Sequence, residues 1–223
     1  MVINKVVERP SQELVEQFKD VDAATIGHLW ETVSFGVLDP RIRPIDETMR
    51  VVGPAVTTRL VGTDNTVLHK AIDFAEPGDV LVISVGGHIE HACWGGLLSL
   101  SAKLRGLAGV VLDGAVCDIV EIKEAKLPVF ARAVTARTMI RKTASGDVNV
   151  PVLCGGAPVR PGDIVIGDDS GVLIVPMKFG QKVLEAAKTR KEREKEIVKE
   201  MKAGRRLSEI LGIDDMLRQK GIS

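Results

Sequence analysis

The sequence predicts a layered α/β fold, and three observations carry that prediction. Apolar, strand-like runs alternate with short amphipathic segments between residues 50 and 134. A run of further strands follows at 148–176, and from Lys178 onward the chain is helical and highly charged. Strands that alternate with helices stack as helices on a sheet. At 223 residues, with 45% hydrophobic and 27% charged side chains, the chain suits one domain spanning 1–223 better than two.

In chain order, 11–34 reads as helical. Ser11 can cap it, Leu14, Phe18 and Val21 recur at helical spacing, and Asp22-Ala23 offers a second start. RVVGPAVTTRL (50–60) is rich in β-formers and reads as a strand, and VLHKAIDFA (67–75) as a short helix with Val67, Ala71 and Phe74 on one face. Pro77-Gly78 suits the centre of a type II turn that feeds the buried strand VLVIS. ACWGGLLSLSAKLRG (92–106) reads as a helix, GVVLDG as a strand, IVEIKEAKL as a helix and PVFARAVT as a strand. VNVPVLCGG and DIVIGDDSGVLIVP complete the strand set. The tail helix should carry Ile197 and Met201 on its apolar face. EPGDVLVIS (76–84) is echoed by RPGDIVIGD (160–168); nothing flanking the two copies matches, so one good turn has been used twice.

Lys+Arg and Asp+Glu are both 30, so the formal net charge is zero and no strongly basic nucleic-acid surface is expected. No apolar run approaches the ~20 residues of a membrane span, and MVINKVVERPSQ lacks the apolar centre of a signal peptide. Cys93, Cys117 and Cys154 are odd in number without zinc-like spacing. They read as reduced thiols of a cytoplasmic protein. There is no tyrosine to serve as a catalytic acid.

Three constellations could carry chemistry. His88-Ile89-Glu90-His91-Ala92-Cys93 looks like a metal cluster. It lacks the order H-E-x-x-H and follows two glycines, so a polar loop before a helix is the better reading. Trp94-Gly95-Gly96-Leu97-Leu98 places two glycines at a helix start, where free N–H groups and the positive dipole end favour a carboxylate; tight helix–strand packing would explain them equally well. In VVLDGAVCDIVEI (110–122), Asp118 and Glu121 lie three apart on one first turn. Two carboxylates suit Mg²⁺ or Mn²⁺, which take oxygen ligands and keep waters. D-x-x-E is also a helix-capping pattern, which local physics favours.

Taken together and in this order, these stretches resemble the RraA-like family, which includes class II 4-hydroxy-4-methyl-2-oxoglutarate / 4-carboxy-4-hydroxy-2-oxoadipate aldolases and regulators of RNase E. The resemblance runs from about Asp22 to Pro176, leaving 178–223 as a helical tail. Its carriers are GPAVT (53–57), TDNTVLHKAIDFAEPGDVLVIS (63–84), WGGLLSLSAKLRGLAGVVLDGAVCD (94–118), LPVFARAVTART (127–138) and VNVPVLCGGAPVRPGDIVIGDDSGVLIVP (148–176). It implies a swivelling β/β/α-type layered domain. It also implies a divalent-metal-dependent lyase that cleaves a 4-hydroxy-2-oxo acid to pyruvate or decarboxylates oxaloacetate. Both reactions pass through a pyruvate enolate that the metal stabilises. In this reading Asp118, supported by Glu121, binds Mg²⁺ or Mn²⁺, and the Gly95-Gly96-Leu97-Leu98 backbone holds the substrate carboxylate.

The family's aldolases follow Gly, twenty residues, then Arg-Asp and, two residues on, an acid. Here Gly96, Asp118 and Glu121 keep that pattern, but Cys117 stands where the arginine belongs. A thiol donates weakly and carries no charge, whereas Arg offers a fixed fork of donors. Arg132, Arg59 or Arg105 could reach the site in its stead. The alternatives are a regulator that binds an RNA-degrading enzyme, or a metal enzyme of the same scaffold with another substrate. Relatives of this kind form homotrimers or hexamers, with a Glu of the neighbour's C-terminal helix completing the site; Glu194 is the candidate for it here.

Overall fold

A computed structural model describes residues 1–140 and 143–222. A nine-stranded sheet runs in the order Gly36–Val37, Gly171–Val175, Ile164–Asp168, Val51–Arg59, Val80–Ser84, Gly109–Leu112, Val129–Ala131, Arg43–Pro44, with Asp147–Val148 also pairing on Val51–Arg59. The four strands from Val51–Arg59 to Val129–Ala131 are parallel to one another, and the outer ones pair antiparallel.

Period-2 alternation divides this sheet's side chains between two cores. Leu81, Ile83, Val110, Leu112 and Val129 face one cluster, and Val80, Val82, Val111 and Phe130 face the other. Both faces are buried, which is why VLVIS and GVVL read as unbroken apolar runs. Helices Thr66–Phe74, Gly96–Leu104 and Ile119–Glu124 cover the first face through Leu68, Ala71, Ile72, Ala102 and Ile122. The hairpin Val152–Cys154/Ala157–Val159 covers the second. A third cluster packs Phe18, Ile26, Val183, Leu184 and Ala187 against Ile164, Ile166, Leu173 and Val175 of the antiparallel pair. The result is the expected layered α/β arrangement with a helical C-terminal region.

Several elements depart from their expected form. The second start at Asp22 is there, its carboxylate accepting from the Thr25 N–H, but the two helices are Gln12–Phe18 and Ala23–Gly27 and helix does not reach residue 34. The expected 92–106 helix opens with a strand, Ala92–Trp94, and becomes helical only at Gly96. PVFARAVT breaks at Arg132 into Val129–Ala131 and Ala133–Val134, and VNVPVLCGG splits into Asp147–Val148 and Val152–Cys154. In the tail helix Gly180–Lys202 the buried residues all lie at Gly180, Val183, Leu184 and Ala187, so Met201 of the expected apolar face is exposed.

The breaks at Trp94 and Arg132 share a cause. Ala92–Trp94, Ala115–Val116 and Ala133–Val134 form a second, three-stranded parallel sheet. Each continues the chain from the C-terminal end of a central strand. The handover is fixed by buried Asp113, which accepts from the N–H groups of Val85 (2.7 Å) and Gly155 (3.3 Å). The Gly114 carbonyl accepts from the N–H groups of Arg132 and Ala133. Ligand sites of open α/β sheets form outside the carboxyl ends of the strands, and this small sheet occupies that place.

Candidate functional site

The small sheet brings two stretches together that are far apart in sequence. The first is Trp94 to Leu98. Extended Gly95 ends the strand and Gly96 starts the helix Gly96–Leu104. The buried Trp94 indole N–H donates to the Ser99 hydroxyl at 2.7 Å, which donates onward to the Gly95 carbonyl at 3.0 Å. This chain holds the helix N-terminus rigid. The first-turn N–H groups of Leu97 and Leu98 have no acceptor within the helix.

The second stretch is Cys117-Asp118, ahead of the helix Ile119–Glu124. Asp118 is left-handed, with φ 54° and ψ 50°, a conformation that a non-glycine residue holds at a cost of about 1–2 kcal/mol. Its carboxylate makes no hydrogen bond to its own helix, so the capping reading of D-x-x-E fails. Instead Oδ2 accepts from the Gly96 N–H at 3.1 Å. The glycines exist for this approach. A Cβ on Gly95 would stand 2.5 Å from Asp118 Oδ2 and 2.8 Å from Cys117 Sγ; one on Gly96 would stand 2.6 Å from Glu121 Cβ. Gly96 therefore gives its N–H to Asp118, and the N–H groups of Leu97 and Leu98 are the ones left open at this helix start.

The Cys117 N–H and thiol both face the Trp94 carbonyl, at 3.0 and 3.6 Å. Burial, helped by the Asp118 carboxylate, pushes the thiol up to about 11. Cys117 is thus a neutral, weak donor at physiological pH and a poor nucleophile.

A cavity of about 200 Å³ opens over this junction. It is lined by Gly95, Leu97, Leu98, Cys117 and Asp118 from the expected set, together with Asn65, His69 and Met139. The last three escaped the sequence reading. Asn65 sits at the start of helix Thr66–Phe74 but makes no side-chain cap; its Nδ2 donates to the Cys93 carbonyl at 3.3 Å, and its buried Oδ1 has no partner. His69 follows at i+4 on the same helix face. An uncapping Asn with a His one turn on was the available signal, but Lys70 and Asp73 on the same helix hide it. Met139 arrives through a long-range bridge, with its N–H donating to the Ala92 carbonyl at 2.9 Å, and no local pattern announces that.

Other expected residues lie elsewhere. Glu121 is exposed and does not line the cavity. Glu194 pairs with Arg190 at 2.8 Å on the C-terminal helix. None of the three arginines proposed to replace the missing one lines the cavity: Arg59 pairs with Asp147, Arg105 donates to the Asp73 carbonyl, and Arg132 pairs with Asp39 at 3.3 Å. His88 and His91 hydrogen-bond to each other at 2.9 Å, while Cys93 is buried with its thiol pushed up to about 12 by burial. Among the described residues no group of three or more His, Cys, Asp or Glu is placed to hold a metal. Asp118 retains one carboxylate oxygen beyond its bond to Gly96. A cation fitting that donor set is a hard one taking one or two carboxylates plus waters, as Mg²⁺ and Mn²⁺ do, rather than a closed zinc site.

Comparison with known proteins gives a family. A family model described as "RraA-like: Aldolase/RraA" matches residues 22–174. A Halalkalibacterium halodurans protein named "Putative 4-hydroxy-4-methyl-2-oxoglutarate aldolase" is 38% identical over 176 residues, 79% of this chain and 82% of that one. Among solved structures, Streptomyces coelicolor RraAS2, described as an unusual member of the RNase ES inhibitor RraA protein family, is 29% identical with a TM-score of 0.74, over 84% of this chain and 97% of that one. The RNA-processing inhibitor RraA from Thermus thermophilis is 31% identical with a TM-score of 0.62, over 70% and 93%. With the family pattern covering the sheet, the glycine pair and the Asp118 turn alike, the chain belongs to the RraA-like aldolase/RraA family.

Proposed function

We propose that the cavity is the active site of a divalent-metal-dependent lyase. It would cleave a 4-hydroxy-2-oxo acid to release pyruvate, or decarboxylate oxaloacetate. The observation that carries this reading is the Asp118 carboxylate, held by the Gly96 N–H at the N-terminus of a helix whose next N–H groups stay free. Mg²⁺ or Mn²⁺ held by the free Asp118 oxygen and waters would supply Lewis-acid polarisation of the substrate's keto oxygen; Glu121, exposed outside the cavity, is left out of that set. The Leu97 and Leu98 N–H groups would seat its carboxylate, with the Trp94–Ser99–Gly95 hydrogen bonds keeping those donors in place. The unpartnered Asn65 Oδ1 is an acceptor for a substrate hydroxyl.

The expected homotrimer or hexamer belongs to this proposal. Leu97, Leu100 and Leu104 follow one another along the exposed side of the site's own helix, Leu97 at 86% and Leu104 at 78% exposure, an apolar stripe that suits burial against a second copy. Three unpaired thiols support a cytoplasmic setting.

The test is pyruvate release from oxaloacetate or 4-hydroxy-4-methyl-2-oxoglutarate with Mg²⁺ or Mn²⁺. Turnover that ignores the metal, or that is equal in Asp118→Ala, sinks the proposal. Cys117→Arg should raise the rate, since one such donor is worth about 10²–10³-fold. An unchanged rate would mean that the missing arginine does not limit catalysis. The second reading, a regulator of an RNA-degrading enzyme, is supported by the names of the two solved relatives. Capture of an RNase E-type enzyme by the purified chain, with no pyruvate released, would favour it.

A further inference from the structure

A second cleft, of about 270 Å³, shares no lining residue with the first and is lined by three arginines, Arg41, Arg43 and Arg132. Its remaining walls come from the edge strand Arg43–Pro44, from Ile119 and from the Val129–Ala131/Ala133–Val134 break. No acidic side chain lines it. Among the described residues the one carboxylate that touches the cluster is Asp39, which takes Arg41 through Nε and Nη2 and Arg132 through Nη2 at 3.3 Å. The Arg41 bonds hold that carboxyl well below its usual range, so it stays ionised and offsets one of the three positive charges. Two remain in excess.

The arginines are built into the fold. Arg132 falls at the residue where the chain passes from the large sheet to the small one, and its side chain is only 15% exposed. Gly87 makes room for it: a Cβ there would stand 3.2 Å from Nη1. Its Nε is buried without a partner. Arg43 is anchored by Nη1 donating to the Asp169 carbonyl at 2.9 Å. A buried guanidinium donor left open is costly, and guanidinium forks match carboxylate and phosphate oxygens in pairs.

We propose that this cleft binds the oxyanion of a small molecule, a carboxylate or a phosphoryl group, at Arg41, Arg43 and Arg132. The ligand's oxygens meet the exposed Arg41 and Arg43 guanidinium groups and the part of Arg132 that lines the cleft, and neutralise the excess charge. Asp39 keeps the Arg41 and Arg132 guanidinium groups apart and oriented. The site is independent of the lyase cavity, so it can be tested whether or not the chain turns over a 2-oxo acid.

The test is calorimetric titration of the full chain with inorganic phosphate and, separately, with malonate, at constant ionic strength set by sodium chloride. Saturable binding of one ion per chain is expected for at least one probe. It should weaken by about tenfold or more in Arg43→Ala, as loss of a charge-assisted donor pair does, and vanish in Arg41→Ala/Arg43→Ala. Both positions are exposed, so folding is not at stake. Asp118→Ala should bind as the parent does. Binding of phosphate alone assigns a phosphorylated ligand, and of malonate alone a carboxylated one. No saturable binding of either, or binding that Arg43→Ala leaves untouched, overturns the proposal.

Discussion

Glu76–Ser84 and Arg160–Asp168 are two near-copies of one sentence of sequence, and the structure uses them on either side of the same strand. Each opens on a Pro-Gly turn with its glycine left-handed, Gly78 at φ 93° and Gly162 at φ 85°. Each turn closes through an N–H···O bond of 3.1 Å, Asp79 to Glu76 and Asp163 to Arg160. Each aspartate is buried and accepts from the turn's first N–H, Glu76 at 2.7 Å and Arg160 at 2.8 Å. Beyond that the two diverge. Val80–Ser84 runs parallel to Val51–Arg59 and leads on to the site; Ile164–Asp168 runs antiparallel to it and turns back in a hairpin. Local sequence dictates the turn, and the surroundings dictate its direction and use.

The aspartates offer the largest test of that contrast. Asp79 also holds Arg9 in a two-pronged pair, Nε at 2.9 Å and Nη2 at 2.7 Å. Asp163 adds only the Met177 N–H, at 3.1 Å. Asp79→Ala, which removes the two-pronged pair but leaves Arg9 its Glu76 partner at 3.1 Å and the Val7 carbonyl, should cost about 3 kcal/mol. Asp163→Ala should cost about 2 kcal/mol. Urea unfolding measures both, and equal losses would mean that the Arg9 pair adds nothing.

Next come the turn glycines. Gly162→Ala adds a Cβ that overlaps the Glu8 carbonyl, whereas Gly78→Ala meets open space. The left-handed conformation alone costs about 1–2 kcal/mol, so Gly78→Ala should lose about 1 kcal/mol and Gly162→Ala about 3 kcal/mol once the clash is added. A larger loss at Gly78 would reverse the assignment of which copy is the tighter.

The smallest effect lies downstream of the first copy, at the site. The Cys117 thiol, raised to about 11, is protonated at pH 8. Its labelling by iodoacetamide should be about tenfold slower than that of a free thiol, the lower thiolate fraction being partly offset by higher nucleophilicity. The sign follows from the direction of the shift. A raised thiol stabilises the fold below the ordinary thiol value, and that contribution fades as pH climbs toward 11, so labelling and unfolding should both accelerate over that interval. A labelling rate at pH 8 matching that of free cysteine would show Cys117 to be an activated thiolate.

Much of this was legible in the chain. The central strands, the two Pro-Gly turns and the glycine pair follow from apolar runs, the positive φ at Gly78 and Gly162, and the need for close approach at Gly95-Gly96. The spacing of Gly96, Cys117 and Asp118 pointed to one junction only through the family pattern that the chain resembles; read locally, the two stretches were unconnected. Other features depend on contacts no window contains. PVFARAVT has nothing in it to say that Arg132 lies between two sheets; the Gly114 carbonyl, from the link between Gly109–Leu112 and Ala115–Val116, accepts from the N–H groups of Arg132 and Ala133 and makes the break.

The sequence by itself determined the central strands, the two Pro-Gly turns and the carboxylate at Asp118, because propensity, periodicity and residue identity act over a few neighbours; the absent arginine showed only against the family pattern. Only the tertiary structure decided that Asp118 abandons its own helix for the Gly96 N–H, that Asn65 and His69 share its cavity, and that three arginines gather beside Ile119. Those outcomes depend on which backbone groups distant segments leave open to one another, and folding fixes that by packing the two sheets together.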